Sequence, residues 1–307
     1  MSFHWPFESV EYLPEDEIKR ILGEIADSDL RTTDFELLKK TLTRLAKGLV
    51  LEAPIYHPGL TLYRGRLMKT RPETVCDLAY PPAHLVTDFE RANTPKQPMF
   101  YLNSLRNAVF FELRPEPGDC LAIGYWEVIE KLRMFPVGYS RHVFEQRRSS
   151  RSMPKFGPSN HSRLQHPSNI LLEEFFAEQF TKEVPREQPW QFKISAAIAE
   201  NRLSLQEVDG IMYPTVAMRC NSDNFALRPT AARKLTLKKA EYVRVDLVEE
   251  FSFKITVLDT ATEFPNGRIT WKGKPKWTLK RGEELKLVVE NGKLRAYDVD
   301  GKLREYD

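Results

Sequence analysis

Apolar residues first recur with a readable period at Ile18, Ile21, Leu22 and Ile25, directly after an acidic entry, Glu15-Asp16-Glu17. Carboxylates favour the positive end of a helix, so this spacing predicts one. Thr33-Asp34-Phe35-Glu36 then has the form of a capping box, and Leu38, Leu42, Leu45 and Leu49 continue it as a helical stripe. Pro54 and Pro58 end that pattern, and a boundary is expected near them. Leu60 to Leu67 reads as a strand, with Leu60, Leu62, Arg64 and Arg66 on one face and Tyr63 and Leu67 on the other.

Met99 to Leu102 is the next expected strand, and Ser104 is placed to cap a helix from Leu105 to Leu113 that stops before Pro115. Cys120 to Ile129 is rich in aromatic and β-branched residues, as strands are. From Arg141 to Pro167 the chain turns basic, Ser-rich and irregular, and reads as a solvated loop; a phosphate- or target-binding arm is the sharper alternative. Ser168 is the expected cap of a helix carrying Leu171, Leu172, Phe175, Phe176 and Phe180. A helix from about Trp190 to Asn201 and a strand from Gly210 to Pro214 follow. Beyond Glu241 the texture is that of strands: Phe251 to Val257, Arg268 to Trp271 and Glu284 to Val289, with Asn291-Gly292 and Asp300-Gly301 as hairpin signals. The order predicts an α+β protein in three parts: a helical segment over 1–53, a central domain over 54–245 and a small antiparallel β meander over 246–307.

Composition narrows the function classes. With 307 residues, 41% of them apolar, the chain can bury a full core. Its 46 basic and 43 acidic residues nearly cancel, which gives no general case for nucleic acid or for an acidic membrane surface. No apolar run approaches the roughly 20 residues that span a bilayer. The start lacks the basic-then-apolar order of a secretory signal, and three scattered cysteines, Cys76, Cys120 and Cys220, form no CxxC pair. A reducing, cytoplasmic setting is therefore expected. GxGxxG, Walker, HExxH and GxSxG motifs are all absent, and the closest histidines, His161 and His166, have no clustered Cys or carboxylate beside them; no metal is expected.

What remains is a constellation in the middle of the chain. Tyr63-Arg64-Gly65-Arg66 lies on a strand whose glycine permits close backbone approach. Arg91 and Asn93 follow a proline-rich connector, Tyr101 ends a strand, Glu112 lies on the next helix, and Thr215 and Asn224 sit near later short strands. In this order, through the segments TLYRGRL, ERANTPKQPMFYLNSLRNAVFFELRPEPGD, SNILLEEFFAEQF and VDGIMYPTVAMRCNSDNFALRP, the chain resembles the RES-domain family over most of Leu60 to Pro229. The resemblance implies an ADP-ribosyltransferase-like fold and consumption of NAD⁺, by hydrolysis or with inorganic phosphate as acceptor. Many members of the family act as toxins that a separate antitoxin holds in check, and some relatives transfer ADP-ribose to a protein.

On that reading each residue type has work to do. NAD⁺ carries a pyrophosphate and a cationic leaving group; guanidinium forks grip phosphate oxygens, so Arg64 and Arg91 are the expected clamps. Tyr101 offers a ring for the nicotinamide, and Tyr63 and Asn93 complete the NAD⁺-binding set. Bond breaking builds an oxocarbenium-like ribose, which a fixed carboxylate, here Glu112, stabilises. Thr215 is expected to offer its hydroxyl to phosphate or ribose, and Asn224 to order its loop. The chain departs from the family pattern at Thr215, which stands for a serine, at Ala92, which stands for an aromatic, and at Asn103, which stands for a small hydroxyl residue. The alternatives are transfer of ADP-ribose to a macromolecule and a non-catalytic interaction module of the same fold, with self-association through a sheet edge of the tail.

Overall fold

The computed structural model describes residues 12–47, 53–156, 166–250 and 252–273, and short strands at 286–290, 293–297 and 303–304. Among the described residues the centre is a nine-stranded sheet with helices packed against it, a mixed α+β architecture.

Helix α1 (Glu15–Ala26) buries Ile18, Ile21, Leu22 and Ile25, the stripe its spacing predicts. Helix α2 (Phe35–Leu45) is capped by Asp34, whose carboxylate accepts from the Leu37 amide at 2.7 Å, so the helix starts one residue later than the capping-box pattern implies. Both helices pack with α5 (Pro167–Thr181) and α6 (Lys193–Leu203) over Phe135, Ile211, Tyr213 and Ala226 in one apolar cluster. The helices ahead of residue 54 thus share a core with the sheet.

The sheet runs β1 (Ile55–Tyr56), β5 (Leu132–Pro136), β6 (Gly210–Pro214), β7 (Asp223–Leu227), β3 (Phe100–Asn103), β2 (Thr61–Leu67), β4 (Cys120–Val128), β8 (Leu235–Glu249) and β9 (Ser252–Ala261). All neighbours are antiparallel except β5 and β6. Alternation gives the sheet two apolar faces. One carries the α1–α2–α5–α6 cluster and, under α3 (Ala108–Leu113), a second cluster of Val109, Phe110, Leu121, Ile123, Val243 and Val245. The other buries Leu62, Phe100, Leu102, Ala122, Met134, Met212 and Phe225. The expected boundary at 245 falls inside β8, which pairs with β9 from Ala240 to Glu249 and continues the main sheet past it.

Several local expectations change. Ser104 does not cap a helix from Leu105: α3 begins at Ala108, and the Ser104 hydroxyl instead accepts from the Asp223 amide at 3.0 Å, tying β3 to β7. The basic stretch is not all loop, because Ser140 caps α4 (Arg141–Gln146), and residues 157–165 lie outside the described part. His166, not Ser168, caps α5 through its ring nitrogen. Arg268 to Trp271 makes only isolated bridges, at Thr74 with Arg268 and at Glu263 with Thr270. Strands β10 (Lys286–Glu290), β11 (Lys293–Tyr297) and β12 (Leu303–Arg304) form a separate antiparallel meander; its expected turns at Asn291-Gly292 and Asp300-Gly301 lie outside the described residues.

Candidate functional site

The two apolar clusters on the helical face leave a polar strip between them. Tyr63 stands opposite Asn103, Asn103 opposite Asn224, and Asn224 opposite Tyr213, so four polar side chains cross β2, β3, β7 and β6 in one row. Side chains paired across neighbouring strands share a face and touch, so the strip is continuous. Helix α3 approaches it closely because β2 has no side chain at Gly65: a Cβ there would collide with Val109 Cγ1 and reach Leu113 Cδ1 at 3.0 Å. That approach brings Glu112 over the strip.

Asn224 is the hub. Its Nδ2 donates to Glu112 Oε1 at 2.9 Å, while its Oδ1 accepts from Asn103 Nδ2 and, at 3.3 Å, from Thr215 Oγ1. Two donors on the carbonyl oxygen and a carboxylate on the amide nitrogen settle the orientation of the group. Glu112 itself stays exposed, so the network aims a solvent-accessible carboxylate without burying it. Thr215 is fully buried, and its hydroxyl is committed to Asn224.

A second group of residues gathers around Tyr101. The Tyr101 hydroxyl donates to Asn93 Oδ1 at 2.6 Å and accepts from the Ala92 amide at 3.1 Å. Burial, reinforced by the charge of Glu90, pushes this phenol well above its ordinary range, so it stays neutral. Tyr213 is pushed up as well, again chiefly by burial. Glu90 is an exposed residue overall, yet its carboxyl is crowded enough that burial raises it, against the pull of Arg64 and the Tyr101 hydroxyl.

Arg64 lies on the opposite face of β2 from Tyr63, and its position depends on a break in the sheet. Strands β2 and β3 share a single pair in register, Tyr63 with Asn103, and part beyond it. The guanidinium fills the opening: Nη1 donates to the Tyr101 carbonyl at 2.9 Å, and the group lies 5.7 Å from the Phe100 ring centre. Its Nε is buried with no hydrogen-bond partner among the described residues. Burial, followed by repulsion from Arg66, lowers the guanidinium to about 10, while Glu90 and Tyr101 favour its charge.

Arg91 is placed differently from the free clamp its type implies. Nη1 donates to the Phe180 carbonyl at 2.8 Å and Nη2 to the Lys182 carbonyl at 3.0 Å, so it satisfies the orphan carbonyls at the end of α5. It nevertheless feels Tyr213, Glu112 and Tyr101, and its guanidinium lies 5.9 Å from the Tyr213 ring centre. Tyr63 turns its ring edge-on to Tyr125, 5.0 Å between centres, and packs with the cluster beneath α3.

Of the expected residues, Glu112, Thr215 and Asn224 are thus linked by hydrogen bonds, with Asn103, a departure from the family pattern, joining them, and Arg64, Asn93 and Tyr101 form a second bonded set. Arg91 joins the two electrostatically. Glu90 and Tyr213 were not singled out in the sequence. Both lie in the segments that carry the resemblance, but a lone Glu in a loop and a Tyr in an apolar strand have no distinguishing local signal. Among the described residues no group of three or more His, Cys, Asp or Glu is placed to hold a metal ion, and no helix is long and apolar enough to cross a membrane.

Fold and site together define the class: an α+β protein whose broad, mostly antiparallel sheet carries a polar strip between two helix-covered cores, with Glu112 held over the strip by Asn224 and Arg64 filling a break between β2 and β3. Against family models, curated proteins and solved structures, the chain matches none.

Proposed function

We propose that the protein binds NAD⁺ at this strip and cleaves its nicotinamide–ribose bond. The observation that carries the reading is the pairing of a buried, incompletely bonded guanidinium at the sheet break with an exposed carboxylate held by a buried amide. A dinucleotide needs both. Arg64 keeps donors beyond its bond to the Tyr101 carbonyl, and a pyrophosphate oxygen that enters the opening between β2 and β3 gains a charge-assisted bond stronger than in water. Arg91, its donors largely engaged by α5, adds positive potential rather than a second fork.

Glu112 suits the developing ribose cation. Cleavage leaves the bonding electron pair on the nicotinamide nitrogen, so the leaving group departs neutral, and the positive charge passes to the sugar. A carboxylate already oriented by Asn224 lowers the energy of that charge without reorganising at the moment of reaction. Tyr101, half-buried, supplies aromatic surface, and its hydroxyl stays neutral beside it. Water or inorganic phosphate then attacks the ribose carbon; an activated macromolecular side chain in the same position gives ADP-ribosyl transfer.

The test is purified protein incubated with NAD⁺, with and without inorganic phosphate, with nicotinamide and the sugar product separated by chromatography. Glu112→Gln is expected to slow nicotinamide release by about 10²–10³-fold, the range for losing one such group. Its thermal midpoint should barely move, since Glu112 is exposed. An unchanged rate in the variant removes Glu112 from the chemistry. No release by the parent protein under either condition, and no ADP-ribose adduct on proteins of a lysate, removes the enzymatic reading and leaves an interaction module.

A further inference from the structure

On the opposite face of the sheet from Glu112 lies a cavity of about 630 Å³, lined in part by Lys69, Thr70, Tyr242, Arg268 and Trp271. Tyr242 stands in register with Ala122, and Ala122 with Arg66, which puts it on the face away from α3. None of the lining residues belongs to the Glu112–Asn224 or the Tyr101 group.

The walls are held by bonds that leave the interior free. The Trp271 indole N–H donates to the Pro72 carbonyl at 2.8 Å, and the Tyr242 hydroxyl to the Lys69 carbonyl at 3.0 Å. The Ile269 amide donates to the Glu73 carbonyl at 2.8 Å, so the segment after β2 is fastened to the segment after β9. The two rings meet edge to face with centres 6.5 Å apart. Arg71 is paired with the buried Asp259, whose other oxygen accepts from the Gly273 amide at 2.8 Å.

Against this fixed frame, Lys69 and Arg268 make no side-chain hydrogen bond or ion pair among the described residues. With Arg71 these cations outnumber Glu73, the one carboxylate residue of the lining, and beside a preorganised aromatic wall they suit a ligand that is both anionic and planar. The volume falls within the roughly 300–1,000 Å³ of small-molecule sites. Guanidinium and ammonium groups bind phosphate, and indole and phenol rings offer surface for a heteroaromatic base. We infer that this cavity is a second ligand site, separate from the strip, that binds a nucleoside monophosphate: phosphate at Lys69 and Arg268, base against Trp271.

The experiment uses the full chain and adenosine 5′-monophosphate as probe, with adenosine and inorganic phosphate as partial ligands, followed by calorimetry and by Trp fluorescence. Saturable binding at millimolar or lower concentration is expected. Lys69→Ala combined with Arg268→Ala should weaken it at least about tenfold, the loss of one charge-assisted contact or more. Trp271→Leu should weaken the monophosphate and adenosine alike and leave phosphate unaffected. Because the probe also carries the chemistry proposed for the strip, Arg64→Ala is the control and should leave this binding unchanged. A melting curve of each variant establishes that it is folded; where Trp271→Leu fails to fold, Lys69 and Arg268, which are exposed and unpaired among the described residues, still decide the matter. Absence of saturable binding, or binding that falls with Arg64→Ala and not with the Lys69/Arg268 pair, overturns the inference. Equal affinity for phosphate alone overturns its nucleoside part.

Discussion

At the scale of residues, Asn224 does more than its place in a short strand implies. A side-chain amide offers donors and acceptors at once, and here the two ends serve opposite partners: hydroxyl and amide donors on Oδ1, the Glu112 carboxylate on Nδ2. Asn224→Asp preserves size and removes the donor, leaving two carboxylates face to face. At a separation near 3 Å and an effective dielectric constant near 20, two full charges repel by about 5 kcal/mol, so one carboxyl is held protonated well above its usual range. A carboxyl whose pKa is raised on folding binds its proton more tightly in the folded state, and stability then grows as pH falls. The Asn224→Asp variant is therefore expected to lose stability relative to the parent near pH 8 and to recover much of the loss near pH 5. Urea midpoints at the two values measure this, and a deficit that does not shrink on acidification contradicts the pairing. The Arg64, Glu112, Asn93 and Tyr101 positions were legible in the sequence by type and order, because guanidinium, carboxylate and phenol chemistry travels with the residue. Which of them have free atoms was not legible. Arg91 and Arg64 look alike in sequence, yet one is engaged by the end of α5 and the other keeps a buried Nε without a partner among the described residues.

At the scale of elements, Gly65 and α3 set the geometry of the strip. The glycine is not needed for an unusual backbone angle; it is needed because α3 packs directly on β2. Gly65→Ala forces the helix outward or tilts it, since the β-branched Val109, buried in a packed core, lies where the new Cβ would stand. The expected outcome is a loss of about 1–3 kcal/mol in unfolding free energy, the range for overpacking. Nicotinamide release should fall with it, because Glu112 moves with its helix. A variant as stable and as active as the parent would show that the contact can relax. The helices α1 and α2 and the strands β2, β3, β4 and β6 were all readable from periodicity. Strand β5 (Leu132–Pro136) was not, because five residues give too short a window beside the stronger signal of β4. Helix α4 escaped notice among its arginines and serines, although Ser140 capping Val143 is an ordinary start signal. The solvated reading of this stretch also missed that Arg151 returns to the fold, donating to the Cys220 carbonyl at 2.6 Å and pairing with Asp223.

At the scale of the whole molecule, α5 and α6 bring two desolvated ionisable side chains, Glu173 and Arg202, into the region where the helices share a core with the sheet. Glu173 on α5 accepts from Asn169 at 3.1 Å, and burial raises its carboxyl to about 7 against the pull of Asn169 and Arg202. Burial likewise lowers the Arg202 guanidinium to about 10. The sign follows directly: a carboxyl raised on folding favours the folded state more while protonated than once ionised. Stability from this group is highest below the ordinary carboxylate value and falls as pH rises to about 7. Between pH 5 and pH 8 the parent should lose more unfolding free energy than Glu173→Gln does, and denaturant titrations of both proteins at both values measure the difference. Equal pH slopes would mean that water or rearrangement solvates the carboxylate in the folded protein.

The amino-acid sequence by itself determined the α+β class, the buried stripes of α1 and α2 and the chemical types gathered in the middle of the chain. Those properties rest on local periodicity and on side-chain chemistry, which neighbours along the chain suffice to express. Only the tertiary structure decided that the sheet continues past 245, because pairing of β8 with β9 and β4 is a contact between distant segments. Only it decided that β2 and β3 part after one pair, that Arg64 fills the opening, and that Asn103, Glu112, Thr215 and Asn224 meet. Such arrangements depend on register and on close approach across the fold, and neither is written in the spacing of any one segment.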